Sequence, residues 1–398
     1  MNINNLIVLI MNFKSSVQRE LNNFFKVVSS GEFEIRTVTK GAFTQARAKL
    51  NPWAFIRLNE VANQVFYTQA PFLKWHEFRL LAADGTTLML PNHPTVVQEF
   101  GQYEFGPKAD VKRCMALSST LYDPLNLMTI DAQIAPYSSS ENELLLKHLE
   151  KVGKGDLLLL DRGYPCFWLL FLLTAKEADF CVRLKASAWN IVEEFTKSND
   201  KQRIVNFKLP DKDRSKLADY PDFEHKEITC RLVKIELSTG EIEVLCTSLM
   251  DEQTYPISEL DKLYHTRWGI EESYKMLKTR VELENFSGKT AKSVKQDFHA
   301  RILLMTLCAA YAHPIEQRVV EEFKAGEKRK YDQKINRTDA TSETQNLIFK
   351  IIIGKIVNPA ISLFDKMVYK SREIIRPNRS NPRNHKQKKT YSMNMKRL

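Results

Sequence analysis

Four residues in the stretch YHTRWGIEESYKMLK are spaced so that a helix would stack them: Tyr264, Arg267, Glu271 and Lys278, at successive offsets of three, four and seven. At about 100° per residue they fall within an arc of roughly 60°. A phenol, a guanidinium, a carboxylate and an ammonium on one stripe admit two readings. Arg267 and Glu271 are an i,i+4 pair and could form a solvated salt-bridge face. Alternatively, the carboxylate binds a cation while the basic groups bind phosphate, arginine as a fork and lysine as a point charge. Leu263, Ile270, Tyr274, Leu277 and Val281 cluster beside the stripe, which puts it at the edge of a core.

Two aspartates bear on the choice. Asp84 lies in FRLLAADGTTLML, at an expected break in a strand where Gly85 allows a turn. Asp161 follows the apolar run of DLLLLDRGYP. Each alone also reads as a turn former or a helix cap. An aspartate after such a run is costly in a core unless it is paired or binds a cation. In an α/β sheet, carboxylates at strand ends stand where ligands commonly bind. Three carboxylates, two from strands and one from a helix, suit hard divalent cations. Two such ions can activate an attacking hydroxyl and stabilise a leaving oxygen in phosphoryl transfer.

The elements that must hold these residues follow from periodicity. Residues 1–75 read as helical, with SVQRELNNFFKVV and TQARAKLNPWAFIRLNEVANQVF carrying apolar residues at three- and four-residue steps. This region is either a DNA-binding module or a helical cap. In residues 76–187, FRLLAADGTTLML, KRCMALSSTLYD and NLMTIDAQIAP read as strands, the last two joined by the turn DPLN. A helix follows, opened by a capping box of Ser140 and Glu143. Then come a buried strand ending at Asp161, a helix in CFWLLFLLTAKEA and a strand in DFCVRLK. This order points to a mixed sheet with helices on its faces. Residues 188–252 read as a β-rich insertion with strands in IVEEF, QRIVNFKL, EITCRLVKIEL and EIEVLCTSL. Residues 253–310 return to the core and carry one long helix over about 258–283. Residues 311–370 read as further helix, and 371–398 as a basic flexible tail.

The formal net charge is +11 and the isoelectric point about 9.2, which points to an anionic partner, most simply nucleic acid. From Lys366 to the end, eleven basic side chains face Glu373 alone, so nearly all of the excess charge lies there. Arg376, Arg379 and Arg383 within RPNRSNPRNHKQKK are expected to lie along phosphates. Six cysteines without CxxC or paired spacing indicate neither a zinc site nor a disulfide framework, and read as buried thiols of a reducing cytoplasm. NNLIVLIMNF lacks the basic flank of a signal peptide, and Asp161 and Arg162 interrupt the most apolar run. No membrane partner is expected. FSGKT does not make a phosphate loop, because Leu283 stands where a glycine is needed.

At the three carboxylates the sequence resembles transposases of the IS4 insertion-sequence family, which carry a DDE-type catalytic domain. The first aspartate stands in ADGTTL as Asp84, and the second in LLDRGY as Asp161. The family's Y-xx-R-xxx-E-xxxxxx-K signature is matched by Tyr264, Arg267, Glu271 and Lys278; YDPLN and ENFSGKT also look like this family. The resemblance covers roughly residues 40–310. It implies a ribonuclease-H-like fold, a mixed α/β sheet flanked by helices and interrupted by a β-rich insertion between the second aspartate and the glutamate. It implies two Mg²⁺ ions, or Mn²⁺, held by Asp84, Asp161 and Glu271. It implies cleavage of double-stranded DNA at transposon ends and joining to target DNA by a homodimer that bridges two ends. Tyr264, Arg267 and Lys278 would hold the DNA end, with Arg162 and Lys275 as further contacts. Relatives that form a hairpin can stack a flipped base on a tryptophan of the insertion. Here Trp189 stands only at the insertion's start, and Tyr255 is the aromatic offered in its place. The expected setting is a prokaryotic cytoplasm, with the nucleoid when DNA-bound. Two other readings remain: a nuclease of the same fold that does not join strands, and a catalytically silent DNA-binding derivative.

Overall fold

The computed structural model describes residues 1–13, 16–28, 36–104, 112–219, 227–237, 240–327 and 329–376. In chain order its elements begin with helices α1 (Ile3–Asn12), α2 (Val17–Val28), α3 (Lys40–Lys49) and α4 (Trp53–Gln69). Strand β1 (Arg79–Leu90), helix α5 (Pro94–Phe100) and strands β2 (Tyr103–Glu104), β3 (Lys112–Asp123) and β4 (Met128–Pro136) follow. Then come α6 (Glu141–His148), β5 (Asp156–Leu160), α7 (Phe167–Ala175), β6 (Asp179–Leu184) and α8 (Asn190–Lys197). Strands β7 (Gln202–Lys208), β8 (Glu227–Glu236) and β9 (Ile242–Thr247) precede α9 (Ile257–Thr266) and α10 (Gly269–Thr279). The last elements are α11 (Ala291–Glu322), β10 (Gln333–Ile335), α12 (Arg337–Ile352), α13 (Asn358–Lys370) and β11 (Arg372–Ile374). The chain divides into two units, one of Met1–Ala70, Thr87–Ala116 and Lys275–Leu398, the other of Pro71–Thr86 and Leu117–Tyr274.

The nine-stranded sheet has the order β2-β3-β1-β5-β6-β9-β8-β7, with β4 also pairing β3. Strands β1, β5 and β6 are parallel, and β6, β9, β8 and β7 pair antiparallel. The stretch β4-β3-β1-β5-β6 is a ribonuclease-H-like strand order, built on a mixed sheet with helices. Strand β5 is buried along its whole length, as a parallel strand covered on both faces must be. Helix α7 is apolar nearly all round and buries Trp168 through Leu173, the mark of a core helix. Helix α6 begins at the expected capping box, with Ser140 and Glu143 bonding reciprocally.

The first unit is mainly helical. One of its cores packs Leu9, Phe13, Leu21 and Phe24 with Phe43, Leu303 and Ile348, and another packs Cys308, Ile315, Leu347 and Phe364. Strands β10 and β11 add a short antiparallel pair. All six cysteines are free thiols, five of them buried.

Three local expectations are corrected. Strand β1 does not break at Asp84; it continues through Gly85 to Leu90. IVEEF is helical within α8, because Val192 and Phe195 bury one face while Glu193 pairs with Lys197 at i,i+4. A short apolar run cannot separate helix from strand by periodicity alone. The long helix over 258–283 is two helices. Between them Arg267, Trp268, Ile270 and Glu271 donate to carbonyls three residues back, at 3.1–3.2 Å. Such a tightened turn within a helix often marks a functional position. Gly269 sits there because a Cβ at that position would meet the Pro124 side chain at 3.0 Å.

Candidate active site

Asp84 and Asp161 are brought together by strand register. Strands β1 and β5 pair in parallel, with Ala82 opposite Leu159. Two residues further along each segment stand Asp84, within β1, and Asp161, just past the end of β5, and both act on the Arg267 guanidinium. Asp84 Oδ1 accepts from the Gly85 N–H at 2.8 Å. Asp161 Oδ1 is 3.4 Å from the Tyr264 hydroxyl, which also reaches the Leu160 carbonyl at 3.4 Å. Arg183 stands 3.9 Å from Asp161 but is committed at 2.8 Å to Glu243.

Glu271 enters from the first turn of α10. Arg267, in the tightened turn before it, donates to Glu271 Oε1 at 3.3 Å and stands 4.0 Å from Asp84 Oδ2. The guanidinium also lies near the rings of Tyr264 and Trp268. Burial works against its charge, but Tyr264, Asp161, Asp84 and Glu271 outweigh that and raise its affinity for the proton. Burial pushes the Asp84 carboxyl up from 3.8 to about 6; the Gly85 N–H and Arg267 oppose this, and Glu141 and Glu271 add to it. Burial likewise raises the Tyr264 phenol.

Glu141 is a fourth carboxylate that sequence reasoning missed. It stands in the first turn of α6. A Cβ on Gly85 would lie 2.4 Å from its Oε1, and one on Gly163 would lie 3.8 Å from its Oε2. Gly85 thus leaves room for its carboxylate, while a Cβ at Gly163 would make only ordinary contact with it. Burial and then Asp161 raise its pKa. The only local signal was its place beside the capping serine, which says nothing about long-range approach. Trp268 was also passed over. It is 51% exposed between Arg267 and Gly269. By contrast, Trp189 stacks on Phe167 at 4.2 Å and Tyr255 on Trp75 at 5.5 Å.

The second unit therefore holds Asp84, Asp161, Glu271, Tyr264 and Arg267 together, with Arg162 exposed next to Asp161. Tyr264 and Arg267 are buried, with their polar ends toward the carboxylates. Lys275, Lys278 and Arg376 belong to the other unit. Lys278 Nζ donates to the Thr87 carbonyl at 2.7 Å; burial lowers its pKa, opposed by Glu284. Arg379 and Arg383 lie outside the described residues. Among the described residues, no three acidic, imidazole or thiol side chains converge closely enough to chelate one ion as they stand.

A family model described as "Transposase DDE domain" matches residues 75–307. The chain is 27% identical over 280 residues to the transposase InsG for insertion sequence element IS4 of Escherichia coli (strain K12), covering 68% of this chain and 60% of that protein. The chain thus spans about 60% of the length of that relative. Among solved structures it is similar to a piggyBac transposase synaptic complex with hairpin DNA. That match has a TM-score of 0.47 and 11% identity, and covers 92% of this chain and 76% of the other.

Proposed function

Because the chain belongs to the transposase DDE-domain family, we propose that it cuts double-stranded DNA at the ends of an insertion sequence and joins them to target DNA. Asp84, Asp161 and Glu271 are its carboxylate triad. The observation that carries this reading is the convergence on Arg267: the paired strands β1 and β5 lead into Asp84 and Asp161, both act on its guanidinium, and Glu271 bonds to it.

The residues present fit hard divalent cations. Three carboxylates act on one buried guanidinium, and a fourth, Glu141, joins Glu271 in adding to the burial that holds Asp84 near 6. Asp84, Asp161 and Glu271 would hold two Mg²⁺ ions, or Mn²⁺, through oxygen ligands. When bound, the ions activate the attacking hydroxyl and neutralise the leaving oxygen. Arg267 holds Glu271 and faces Asp84, so a phosphate it meets is one already at the carboxylates. Tyr264 steadies Asp161 and the end of β5. Exposed Trp268 offers a face on which a displaced base can stack. Arg162, Lys275, Lys278 and the basic tail contribute phosphate contacts, and a homodimer bridging two DNA ends belongs to the same proposal. No helix among the described residues is long and apolar enough to cross a membrane.

The test uses a labelled duplex taken from the DNA flanking the coding region. Wild-type protein with Mg²⁺ should nick the element end and then produce a strand-transfer product. Asp84→Asn, Asp161→Asn and Glu271→Gln should each bind the end and fail to cut it. Normal cutting by any of the three would remove that residue from the triad. Cutting without any joined product would instead favour a simple nuclease. Deleting residues 376–398 should weaken binding and flatten its salt dependence; an unchanged salt slope would place the phosphate contacts elsewhere.

A further inference from the structure

The Asp84 carboxylate is held by its own peptide group. Its Oδ1 accepts from the Gly85 N–H, and that N–H shares a rigid plane with the Asp84 carbonyl. Whatever fixes the carbonyl therefore aims the N–H, and through it the carboxylate. The pairing of β1 with β5 runs in register to Ala82, two residues before this peptide. The Asp84 carbonyl accepts from two side chains, the Tyr274 hydroxyl at 2.8 Å and Ser119 Oγ at 3.2 Å.

Each hydroxyl is itself held from behind. Thr120 Oγ1 donates to the Tyr274 oxygen at 2.9 Å. Ser119 has a single proton; with that given to the Asp84 carbonyl, its oxygen receives the His148 Nε2 hydrogen across 3.0 Å. His148 Nδ1 donates to Asp131 Oδ2 at 2.7 Å, so the ring bridges with a hydrogen on each nitrogen opposite the Asp131 carboxylate, and Gln133 donates to the same oxygen at 2.8 Å. Ser119 and His148 are fully buried. Aspartate, histidine and serine in series resemble a nucleophilic triad, but this serine is sealed from any substrate and its proton is spent on a backbone carbonyl. A buried polar chain of this kind is costly unless satisfied, and when satisfied it imposes one geometry.

We propose that Ser119, His148 and Asp131, together with Tyr274, are positioning residues for Asp84, clamping the Asp84–Gly85 peptide so that its N–H directs the carboxylate into the active site. This inference rests on the proposed role of Asp84 as a metal-binding carboxylate. A small misdirection of a reacting group can lower rate by orders of magnitude.

The experiment compares full-length wild type with Tyr274→Phe, Ser119→Ala, Ser119→Thr and Asp84→Asn. Mn²⁺ binding without DNA is followed by electron paramagnetic resonance, and single-turnover end cleavage is followed in Mg²⁺. Tyr274→Phe and Ser119→Ala should each weaken Mn²⁺ binding several-fold and slow cleavage roughly tenfold, with the affinity for the DNA end unchanged. Ser119→Thr keeps the hydroxyl and should recover most of the loss. Tyr274→Phe keeps its ring, so it reports even if Ser119→Ala loses stability. Wild-type Mn²⁺ affinity and cleavage in Tyr274→Phe, or a Ser119→Thr as impaired as Ser119→Ala at equal thermal stability, would overturn the clamp. If instead Asp84→Asn itself cleaves normally, the triad reading fails, independently of the clamp.

Discussion

Arg47 and Arg267 are almost equally buried, at 5% and 4% exposure, yet their surroundings are opposite. In the helical unit, every guanidinium nitrogen of Arg47 is bonded. Its guanidinium meets Gln296 at 2.6 Å, Ser287 at 2.5 Å, the Ser293 carbonyl at 2.9 Å and Asp297 at 2.8 Å. In the sheet unit, Arg267 reaches Glu271 only at 3.3 Å and Asp84 at 4.0 Å, and among the described residues its Nε has no partner. One carboxylate answers Arg47, whereas Asp84, Asp161, Glu271 and Tyr264 all act on Arg267. A buried charge with every nitrogen bonded serves the fold. A buried charge that is outnumbered and loosely held marks a place where the protein retains unbalanced charge, as catalytic sites do.

The largest expected effect is on chemistry: Asp84→Asn, Asp161→Asn or Glu271→Gln should lower end cleavage on the order of 10³-fold, equivalent to about 4 kcal/mol, with DNA-end affinity retained in a filter or gel assay. Next is stability at Arg47. Arg47→Met strands Asp297 in the core and should cost about 3 kcal/mol in denaturant unfolding. Cleavage per folded molecule should stay at the wild-type value; a loss of cleavage without a loss of stability would move Arg47 into the site.

Asp84→Asn should also stabilise the protein. The carboxyl titrates near 6 rather than at 3.8 because burial disfavours its ionised form. Native stability therefore falls as pH rises from about 4 to about 6, and the penalty persists above that. The amide escapes it, gaining on the order of 2 kcal/mol at pH 7 and nothing below about pH 4. Melting temperatures of the two proteins at pH 3.5 and pH 7 check this, and an equal difference at both values would contradict it. The smallest effect concerns the fourth carboxylate. Glu141→Gln should slow cleavage about tenfold, near 1.4 kcal/mol, and weaken Mn²⁺ binding. An unaltered rate and metal affinity would make Glu141 a bystander whose approach to Gly85 is only packing.

Most of the strands and helices were legible because their apolar periodicity is strong: β3, β4, β5, α6, α7, β8 and β9 stand where alternation, apolar runs and caps placed them. IVEEF failed because five residues carry too little period to tell α8 from a strand. The break before α10 was hidden because each half keeps a helical pattern, and only contact with Pro124 requires Gly269 at the join. Asp84 looked like a strand end because Asp-Gly is a turn signal; the glycine is instead a clearance for Glu141.

Residue types and their spacing alone set the chemistry on offer: three carboxylates in specific contexts, a Tyr–Arg–Glu–Lys spacing and a basic tail. These are one-dimensional facts, set by residue type and separation along the chain. Folding alone brought Asp84 and Asp161 to the same guanidinium, past the last paired residues of β1 and β5. It also turned Arg267 inward rather than to solvent, brought Glu141 beside Gly85, and locked the Asp84 peptide through Ser119, His148 and Tyr274. Those contacts join residues tens to more than a hundred positions apart. They depend on strand pairing and on burial strong enough to hold polar groups out of water, and neither leaves a local pattern to read.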